Sequence, residues 1–186
     1  MPAEVHIARG HHPGGNKTGD SVATAVTNLD IHDNARSART YGVASYHIVT
    51  PLDAQVELVS RILGHWRDGF GARRVQHRVD AMNLVRVSRT LEDVVAAIAE
   101  GAGRRTSVVA TAARRLPGSV TYAAMRERMQ REPGPFLLVF GTGYGLADSI
   151  IQGADALLEP IGDPGDWNHL SVRAATAITL DRLLGR

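Results

Sequence analysis

Residues 136–146 read FLLVFGTGYGL, an apolar run that ends in a cluster of glycines. The five residues Phe136–Phe140 form a short, continuous apolar run, which is typical of a strand buried on both faces of a parallel sheet. The segment that follows directly, Gly141–Gly145, has glycine at every second position. Because glycine lets the backbone approach a ligand closely, the stretch predicts a central buried strand with a ligand-binding loop at its carboxyl end.

Outward from this run, strand-like segments alternate with helical ones. The candidate strands are Val5–Arg9, Ser45–Thr50, Leu84–Val87, Ser107–Thr111, Phe136–Phe140 and Ala156–Leu158. The candidate helices are Leu52–Trp66, Thr90–Glu100, Thr121–Gln130 and about Leu170 to Leu184. This alternation predicts an α/β fold with a mainly parallel sheet flanked by helices. The chain has no evident linker, so residues 1–186 are expected to form one domain.

Local signals indicate where three helices begin or end. Thr90 and Asp93 have the spacing of a capping box, and Gly185 is expected to terminate the last helix. A short helix is predicted to follow Asp30, which would either cap that helix or take part in chemistry.

The composition excludes several kinds of chemistry. The chain has no cysteine, which excludes disulfides, thiolate metal sites, iron–sulfur radical chemistry and a covalent thiol mechanism, and so disfavours methylation of pyrimidine carbon 5. His11 and His12 are adjacent, but no nearby residue completes a ligand set, so no metal is expected. No apolar run approaches the roughly 18 residues of a membrane span, and Glu4, His6 and Arg9 interrupt the apolar N-terminus. No membrane partner is therefore expected, and the cytoplasm is the expected location.

Arginine supplies nearly all of the positive charge. The net charge is +2 and the sequence pI is about 9.4, with Lys17 as the only lysine. Many arginines occur in close pairs, namely Arg36 and Arg39, Arg73 and Arg74, Arg104 and Arg105, and Arg114 and Arg115. Arginine binds phosphate in a bidentate manner, so the pairs favour a nucleic-acid partner. A genome rich in G and C, which replaces lysine by arginine throughout, is the alternative explanation.

Other interpretations of the glycine-rich segments fit less well. A dinucleotide-binding fingerprint needs G-x-G-x-x-G, whereas Gly141–Gly145 reads G-x-G-x-G. Glu159 stands where a ribose-binding acid would, but Pro160 follows at once and only one helix remains. Residues 14–18 read GGNKT, and Asn16 occupies the place of the glycine that precedes the lysine of a phosphate-binding loop. A plain structural turn is a further possibility for the loop at residues 141–145.

Three segments carry the strongest functional signal. They are residues 27–43, TNLDIHDNARSARTYGV; residues 136–146; and residues 158–161, LEPI, followed by residues 168–178, NHLSVRAATAI. Together they resemble the three motifs of the SPOUT superfamily of S-adenosylmethionine (SAM)-dependent RNA methyltransferases, in family order. The resemblance covers most of the chain. It is closest to a small bacterial branch related to the SpoU-like enzymes that methylate the ribose 2′-oxygen.

The resemblance implies a fold, a cofactor and partners. In the superfamily a parallel sheet ends in a C-terminal segment that threads through a loop to form a deep trefoil knot, a rare exception to ordinary chain topology. SAM binds bent in the knot, mainly through backbone groups, and leaves as S-adenosylhomocysteine. The matching residues here are Thr111, Ala112, Gly141, Thr142, Gly143, Leu158, Pro160, Ile161, His169, Leu170 and Ser171. RNA, either tRNA or rRNA, and a second copy of the chain in a homodimer are the expected partners.

The first and third motifs supply the predicted catalytic residues. Arg36 matches the arginine that assists ribose methylation in the resembling enzymes, and a permanently protonated guanidinium would clamp phosphate and orient the hydroxyl. A base-nitrogen acceptor would instead favour a carboxylate to take a proton, for which Asp30, Asp33 and Asp166 are candidates. His169 is predicted to act as a base or as a cofactor contact. A phosphate-binding RNA rim is predicted from Arg36, Arg39, Arg114 and Arg115.

Three positions depart from the family pattern. Gly143 stands where the ribose-methylating branch has Glu, His169 where the third motif usually has Asn, and Asp30 where the first motif often begins with Asn. The acceptor therefore stays open between a ribose 2′-oxygen and a base nitrogen. A SAM-binding or RNA-binding partner protein that has lost catalysis, and an unrelated small-molecule enzyme, are the alternative hypotheses.

Overall fold

The computed structural model describes residues 3–10, 24–143, 145–162 and 167–185. One sheet is built from the strands β1 (Val5–Gly10), β2 (Ser45–Val49), β3 (Val85–Ser88), β4 (Ser107–Ala110), β5 (Phe136–Gly141) and β6 (Ala156–Leu157). Their order is β3-β2-β1-β5-β4-β6, and every pairing between them is parallel. The predicted α/β class and all the predicted strands are confirmed, with ends that differ by at most one residue.

Helices connect these strands. They are α1 (Asn28–Thr40), α2 (Asp53–Arg67), α3 (Gln76–Met82), α4 (Leu91–Ala102), α5 (Tyr122–Arg131), α6 (Asp148–Gly153), α7 (Val172–Leu184) and a 3₁₀ helix at Phe70–Arg73. The candidate helices that become α2, α4, α5 and α7 are confirmed to within two residues. The predicted capping box is present, since Thr90 Oγ1 accepts the Asp93 N–H and Asp93 Oδ2 accepts the Thr90 N–H. Residues 14–18, His11, His12 and Asp166 lie outside the described residues.

Both faces of the sheet are covered by helices. On one face, α1, α2, α3, α5 and α7 pack against Ile7, Ile48 and Leu138. On the other face, α4 and α6 pack against Ala8 and Val139. This two-sided burial explains the continuous apolar run of β5, whose first five residues are at most 3% exposed. No helix in the described part of the chain is long and apolar enough to cross a membrane.

The last helix, α7, follows the edge strand β6 but lies on the face of the sheet that also carries α1 and α5. It packs against both of these helices. Near its start, Arg173 Nη1 lies 2.9 Å from Asp33 Oδ2, and near its end Asp181 accepts a 3.0 Å hydrogen bond from the Tyr41 hydroxyl. The helix α7 therefore runs alongside α1 in the same direction, and Gly185 caps its end as predicted.

A buried polar cluster lies near the amino ends of β1 and β2. Ser45 Oγ is 2.7 Å from both His6 Nδ1 and His47 Nε2, and the Glu4 carboxylate is 3.2 Å from His6 Nε2. Burial lowers the pKa of both imidazoles, that of His47 to about 4, and the positive charges of His6 and Arg86 also lower the pKa of His47. The cluster is remote from the carboxyl edge, where ligands bind in open parallel sheets.

Candidate cofactor and substrate site

The loops that follow β4, β5 and β6 meet at the carboxyl edge of the sheet. Ala110 of β4 pairs in register with Val139 of β5, so Thr111 and Ala112 stand beside the start of the glycine loop. On the other side of β4, the Leu158 N–H donates to the Ala110 carbonyl at 2.9 Å. The structure therefore brings the predicted cofactor residues of all three loops together.

The glycine loop folds back on itself as a tight hairpin. The Gly145 N–H donates to the Thr142 carbonyl at 3.1 Å, and Gly143 and Gly145 have φ values of +60° and +100°. Residues with a side chain rarely adopt such values. A Cβ at Gly141 would lie 2.4 Å from main-chain atoms of Gly145 and Leu146, so that position requires glycine. The described glycines therefore allow a close approach of main chain to main chain, as expected for a loop that fits closely around a ligand.

The hydroxyl groups of the predicted cofactor residues are engaged inside the protein. Thr111 Oγ1 donates to a carbonyl of β5 at 2.9 Å, and Thr142 Oγ1 donates to the Gly10 carbonyl at 3.1 Å. Ser171 Oγ accepts the Ala174 N–H at 3.2 Å and caps α7. Because these hydroxyl groups are engaged, the loops offer mainly main-chain groups to a ligand. This donor set fits a cofactor held mainly by the backbone, as SAM is in the resembling enzymes.

The segment 167–171 leads from this edge into α7. Asn168 Nδ2 donates to the Ala113 carbonyl at 2.5 Å, which fastens the segment to the loop after β4. Trp167 is 79% exposed, and its ring meets the ring of His169 edge-on with centroids 5.0 Å apart. The sequence analysis assigned no role to Trp167 or Asn168. An aromatic residue between the two parts of the third motif, directly before residue 168, was the available signal for an exposed stacking surface.

A groove of about 630 Å³ opens between α1 and α7. Arg36 and Ser37 line it from α1, and Ser171 and Arg173 line it from the start of α7. Since Ser171 belongs to the predicted cofactor residues, the groove joins the predicted catalytic arginine to the cofactor segment. Arg36 is exposed, and none of the salt bridges between described residues involves it. Its guanidinium is free to bind a phosphate or a hydroxyl oxygen.

Arginines hold both carboxylates of α1. Asp30 Oδ1 lies 2.5 Å from Arg9 Nη1 with both side chains buried, and its Oδ2 accepts the Thr27 N–H of the helix cap. Asp33 is bound by Arg173, as described above. Burial would raise the pKa of the Asp30 carboxyl, but the bonds from Arg9 and Thr27 outweigh it and hold that pKa below its usual value. Asp30 is therefore a weak base. The helix predicted to follow Asp30 instead begins at Asn28 with Thr27 as its cap, and Asp30 supplies the returning hydrogen bond of that capping box.

The arginines predicted to form one RNA rim do not share a cavity. Arg36 lines the groove, whereas Arg114 lines a separate cavity of about 400 Å³ beside α6 and β6. Arg115 lies 3.3 Å from a carboxylate oxygen of Glu159, whose other oxygen accepts the first N–H of α5. Arg39 is exposed on α1. Among the residues that the model covers, no group of three His, Cys, Asp or Glu side chains could hold a metal ion.

A family model of SAM-dependent RNA methyltransferases matches residues 4–185. The match spans nearly the whole chain, so the protein belongs to this family of enzymes. The hypothesis of an unrelated small-molecule enzyme is therefore wrong, and the hypothesis of an inactive partner protein finds no support.

Two relatives share more than two fifths of their aligned residues with the chain. It is 42% identical over 182 residues to an uncharacterized protein of Aquifex aeolicus (strain VF5), a match that covers 98% of this chain and 89% of that protein. It is also 42% identical over 181 residues to a tRNA (guanine-N(1)-)-methyltransferase of Oleidesulfovibrio alaskensis, which covers 97% of this chain. The chain spans 42% of the length of that named relative.

The fold is found in solved structures. The A. aeolicus TrmH/SpoU tRNA modifying enzyme superimposes with a TM-score of 0.56 at 17% sequence identity, over 99% of this chain and 75% of that one. At this level of identity the likeness establishes the fold alone. The protein therefore has the SPOUT fold, in which the C-terminal segment forms a trefoil knot.

Proposed function

We propose that this enzyme methylates a ribose 2′-hydroxyl of tRNA, with Arg36 acting on the acceptor. The observation that carries the proposal is the groove between α1 and α7, which Arg36 and Ser171 line together. SAM supplies an electrophilic methyl group, and S-adenosylhomocysteine is the product. The rest of the chemistry consists of positioning and proton handling by the chain itself.

The charges around the groove favour a hydroxyl acceptor. A base nitrogen that loses a proton calls for a carboxylate that can accept it, but Asp30 is buried against Arg9, and Arg173 holds one oxygen of Asp33. Arg36 remains, and a guanidinium donates hydrogen bonds but accepts none. It would hold the hydroxyl oxygen and a neighbouring phosphate, and its positive charge would favour loss of the hydroxyl proton as the oxygen donates its electron pair to the methyl group. The hydroxyl proton would pass to water in the open groove.

The proposed cofactor residues surround the meeting point of the three loops. The hairpin at Gly141 offers main-chain groups, while Leu158 and Pro160 are buried and supply apolar surface. His169 to Ser171 would close the site next to the groove, so that the methyl group faces Arg36. In-line transfer depends on this orientation, which supplies a large part of the rate.

The substrate class is proposed from the named relative, a tRNA methyltransferase at 42% identity. Its name specifies guanine N1, so methylation of that base nitrogen is the second candidate function. More than half of that relative lies outside the match, and the named activity belongs to the whole of that protein.

A cytoplasmic homodimer of single-domain chains completes the proposal. The family resemblance is its support, because SPOUT enzymes are usually dimers with the pocket near the interface. Sedimentation velocity measures the oligomeric state directly.

An Arg36→Ala variant tests the catalytic role. Removal of a positioned group of this kind lowers a rate roughly 100-fold or more, so methyl incorporation into tRNA should fall by at least that factor. Affinity for SAM, measured by calorimetry, should stay within twofold of wild type. Arg104→Ala is the charge-matched control, because Arg104 is exposed and follows α4 on the opposite face of the sheet. Loss of SAM binding in a folded Arg36→Ala protein would contradict the assignment.

The acceptor atom is identified from the methylated tRNA. Mass spectrometry of digested nucleosides separates 2′-O-methylated nucleosides from N1-methylguanosine. A 2′-O-methylated linkage also resists alkaline hydrolysis, because cleavage needs the free 2′-hydroxyl. An alkali-sensitive product that contains N1-methylguanosine would replace the proposal by the second candidate.

A further inference from the structure

We infer that a band of arginine and aromatic side chains, extending from the groove across α2 and α3, is a second RNA contact that binds unpaired nucleotides of the substrate. The α1–α3 band consists of Arg36, His32, Trp66, Arg78, Phe70 and Arg74. The inference rests on the proposed action on RNA. None of the residues in this band is a predicted cofactor residue. Only Arg36 also belongs to the four arginines predicted to form an RNA rim.

Two guanidinium groups of the band stack on aromatic rings. The Arg74 guanidinium carbon lies 4.8 Å from the centroid of the Phe70 ring, and that of Arg78 lies 4.8 Å from the Trp66 ring. Stacking fixes the plane of a guanidinium and leaves its terminal N–H donors at the edge of that plane, although Nε of Arg78 is buried. Those donors match the spacing of phosphate oxygens, so the stacked arginines are preorganised for a nucleic-acid backbone.

The band carries positive charge without matching acid. Residues 61–78 contain five arginines and one acidic residue, Asp68. Of these arginines, Arg67 is used structurally, since it donates to the carbonyls of Met82 and Val85. Among the described residues, no salt bridge involves Arg74 or Arg78. A surface of this kind attracts an anionic partner.

The band is continuous with the groove. His32 lies one helical turn before Arg36 on α1, and its ring meets the Trp66 ring edge-on with centroids 5.4 Å apart. Burial lowers the pKa of His32, and the charges of Arg78 and Arg36 lower it further against the opposing effect of Asp33. The His32 and Arg78 side chains both contact the Trp66 ring, so the band continues from α1 to α3.

Phe70 extends the band with an exposed ring. Its side chain is 65% exposed, and a Cβ at the next residue, Gly71, would lie 2.6 Å from the Trp66 ring. Gly71 therefore lies against the Trp66 ring, and Phe70 precedes it at the start of the 3₁₀ helix. Phe70 is the exposed ring of the band, whereas Trp66 is half-buried and packs against the core. An exposed ring beside arginines suits single-stranded nucleic acid, because every base offers a face for stacking. This chemistry favours RNA over an acidic protein as the occupant.

Binding of fluorescently labelled tRNA to the full chain, measured at several salt concentrations, tests the inference. Phe70→Ala should weaken binding roughly fivefold or more and leave the salt dependence unchanged, because stacking involves no counterion release. Arg74→Ala should lower the slope of log affinity against log salt by roughly 0.7–0.9, the value for one phosphate contact. Phe70→Tyr keeps the aromatic face and should bind as wild type does. Arg104→Ala, on the opposite face, should retain the wild-type affinity and slope.

The outcomes separate this inference from the proposed function. Calorimetry with SAM should give the same affinity for all of these variants, because none of the substituted residues lies at the cofactor loops. Wild-type protein that binds tRNA, with Phe70→Ala and Arg74→Ala indistinguishable from it, would overturn the inference alone and leave an acidic protein as the partner of the band. Wild-type protein that neither binds nor methylates tRNA would overturn the proposed function and this inference together.

Discussion

Replacing Gly141 by alanine tests whether the glycine hairpin binds the cofactor. The added Cβ would lie 2.4 Å from both the Gly145 carbonyl carbon and the Leu146 nitrogen, and 2.9 Å from Gly145 Cα. All three are main-chain atoms, so no side chain can rotate away to make room. Ordinary contact begins near 3.4 Å, so the two sides of the hairpin must separate by about 1 Å.

A shift of this size has two expected consequences. Forcing one extra carbon into a tight packing site costs roughly 1–3 kcal/mol, so the free energy of unfolding should fall by about that amount. A binding site needs its groups within about 0.5 Å of their productive positions. Affinity for SAM should therefore fall more than tenfold, while the protein stays folded at 25 °C.

Calorimetric titration with SAM, together with urea unfolding, measures both effects. Gly101→Ala in α4 is the matched control, because a Cβ there meets nothing within 4 Å. Alanine in a helix is roughly 0.5–1 kcal/mol more favourable than glycine, so this variant should be slightly more stable and bind SAM normally. Wild-type affinity for SAM in Gly141→Ala would refute the assignment of the hairpin to the cofactor.

Two predictions concern stability and pH. Asp30→Asn leaves the Arg9 charge buried without its partner and should lower the free energy of unfolding at pH 7 by roughly 3–5 kcal/mol. The pKa of Asp30 is lower in the folded protein than in the unfolded one. The stability that Asp30 contributes is therefore present above its unfolded pKa and is lost as the pH falls through its folded pKa. Urea unfolding curves of the variant and the wild type should converge in acid. In the folded protein His47 stays neutral down to about pH 4, whereas in the unfolded chain it takes up a proton near pH 6.5. The free energy of unfolding should therefore fall by about 3 kcal/mol between pH 6.5 and pH 4. His47→Asn should flatten that part of the profile, and an unchanged slope would contradict the linkage.

The strands could be predicted because a strand that is buried on both faces of a sheet has apolar residues at consecutive positions. β5 is covered by helices on either side, so all of its positions are apolar and its limits stand out in the sequence. The capping box at Thr90 was equally predictable, because its hydrogen bonds join residues three positions apart. Signals of this kind are local, and they placed α4 and the central strand to within two residues.

Short elements could not be predicted in the same way. The helix α3 has seven residues and α6 has six, too few for an apolar periodicity to emerge. The 3₁₀ helix at Phe70–Arg73 depends on Gly71, which lies against the Trp66 ring. These turns are set by tertiary packing, and the α1–α3 band depends on them.

The sequence also does not show which charged residues, far apart along the chain, lie close together in the folded protein. Arg36 and Arg114 line different cavities, one between α1 and α7 and the other beside α6 and β6. The partner of Asp30 is Arg9, which is 21 positions away and reads in the sequence as one more polar residue in an apolar strand. A pattern within one element cannot identify such a partner.

The ion pairs that occupy the carboxylates of α1 also determine how that helix is held. Asp30 is bound by Arg9 from β1, and Asp33 is bound by Arg173 from α7. The helix is therefore fixed from the sheet on one side and from the final helix on the other. Each bond adds a positional constraint, so these acidic residues have a role that is independent of proton transfer.

The position of Arg36 follows from these constraints. Arg173 comes two residues after Ser171, so the end of the proposed cofactor segment is connected directly to the helix that carries Arg36, the proposed catalytic arginine. At the far end of the same pair of helices, the Tyr41 hydroxyl donates to Asp181, which opposes sliding of α1 along α7. Because in-line transfer depends on the distance between acceptor and methyl group, helix–helix contacts that touch neither ligand set the geometry of the reaction.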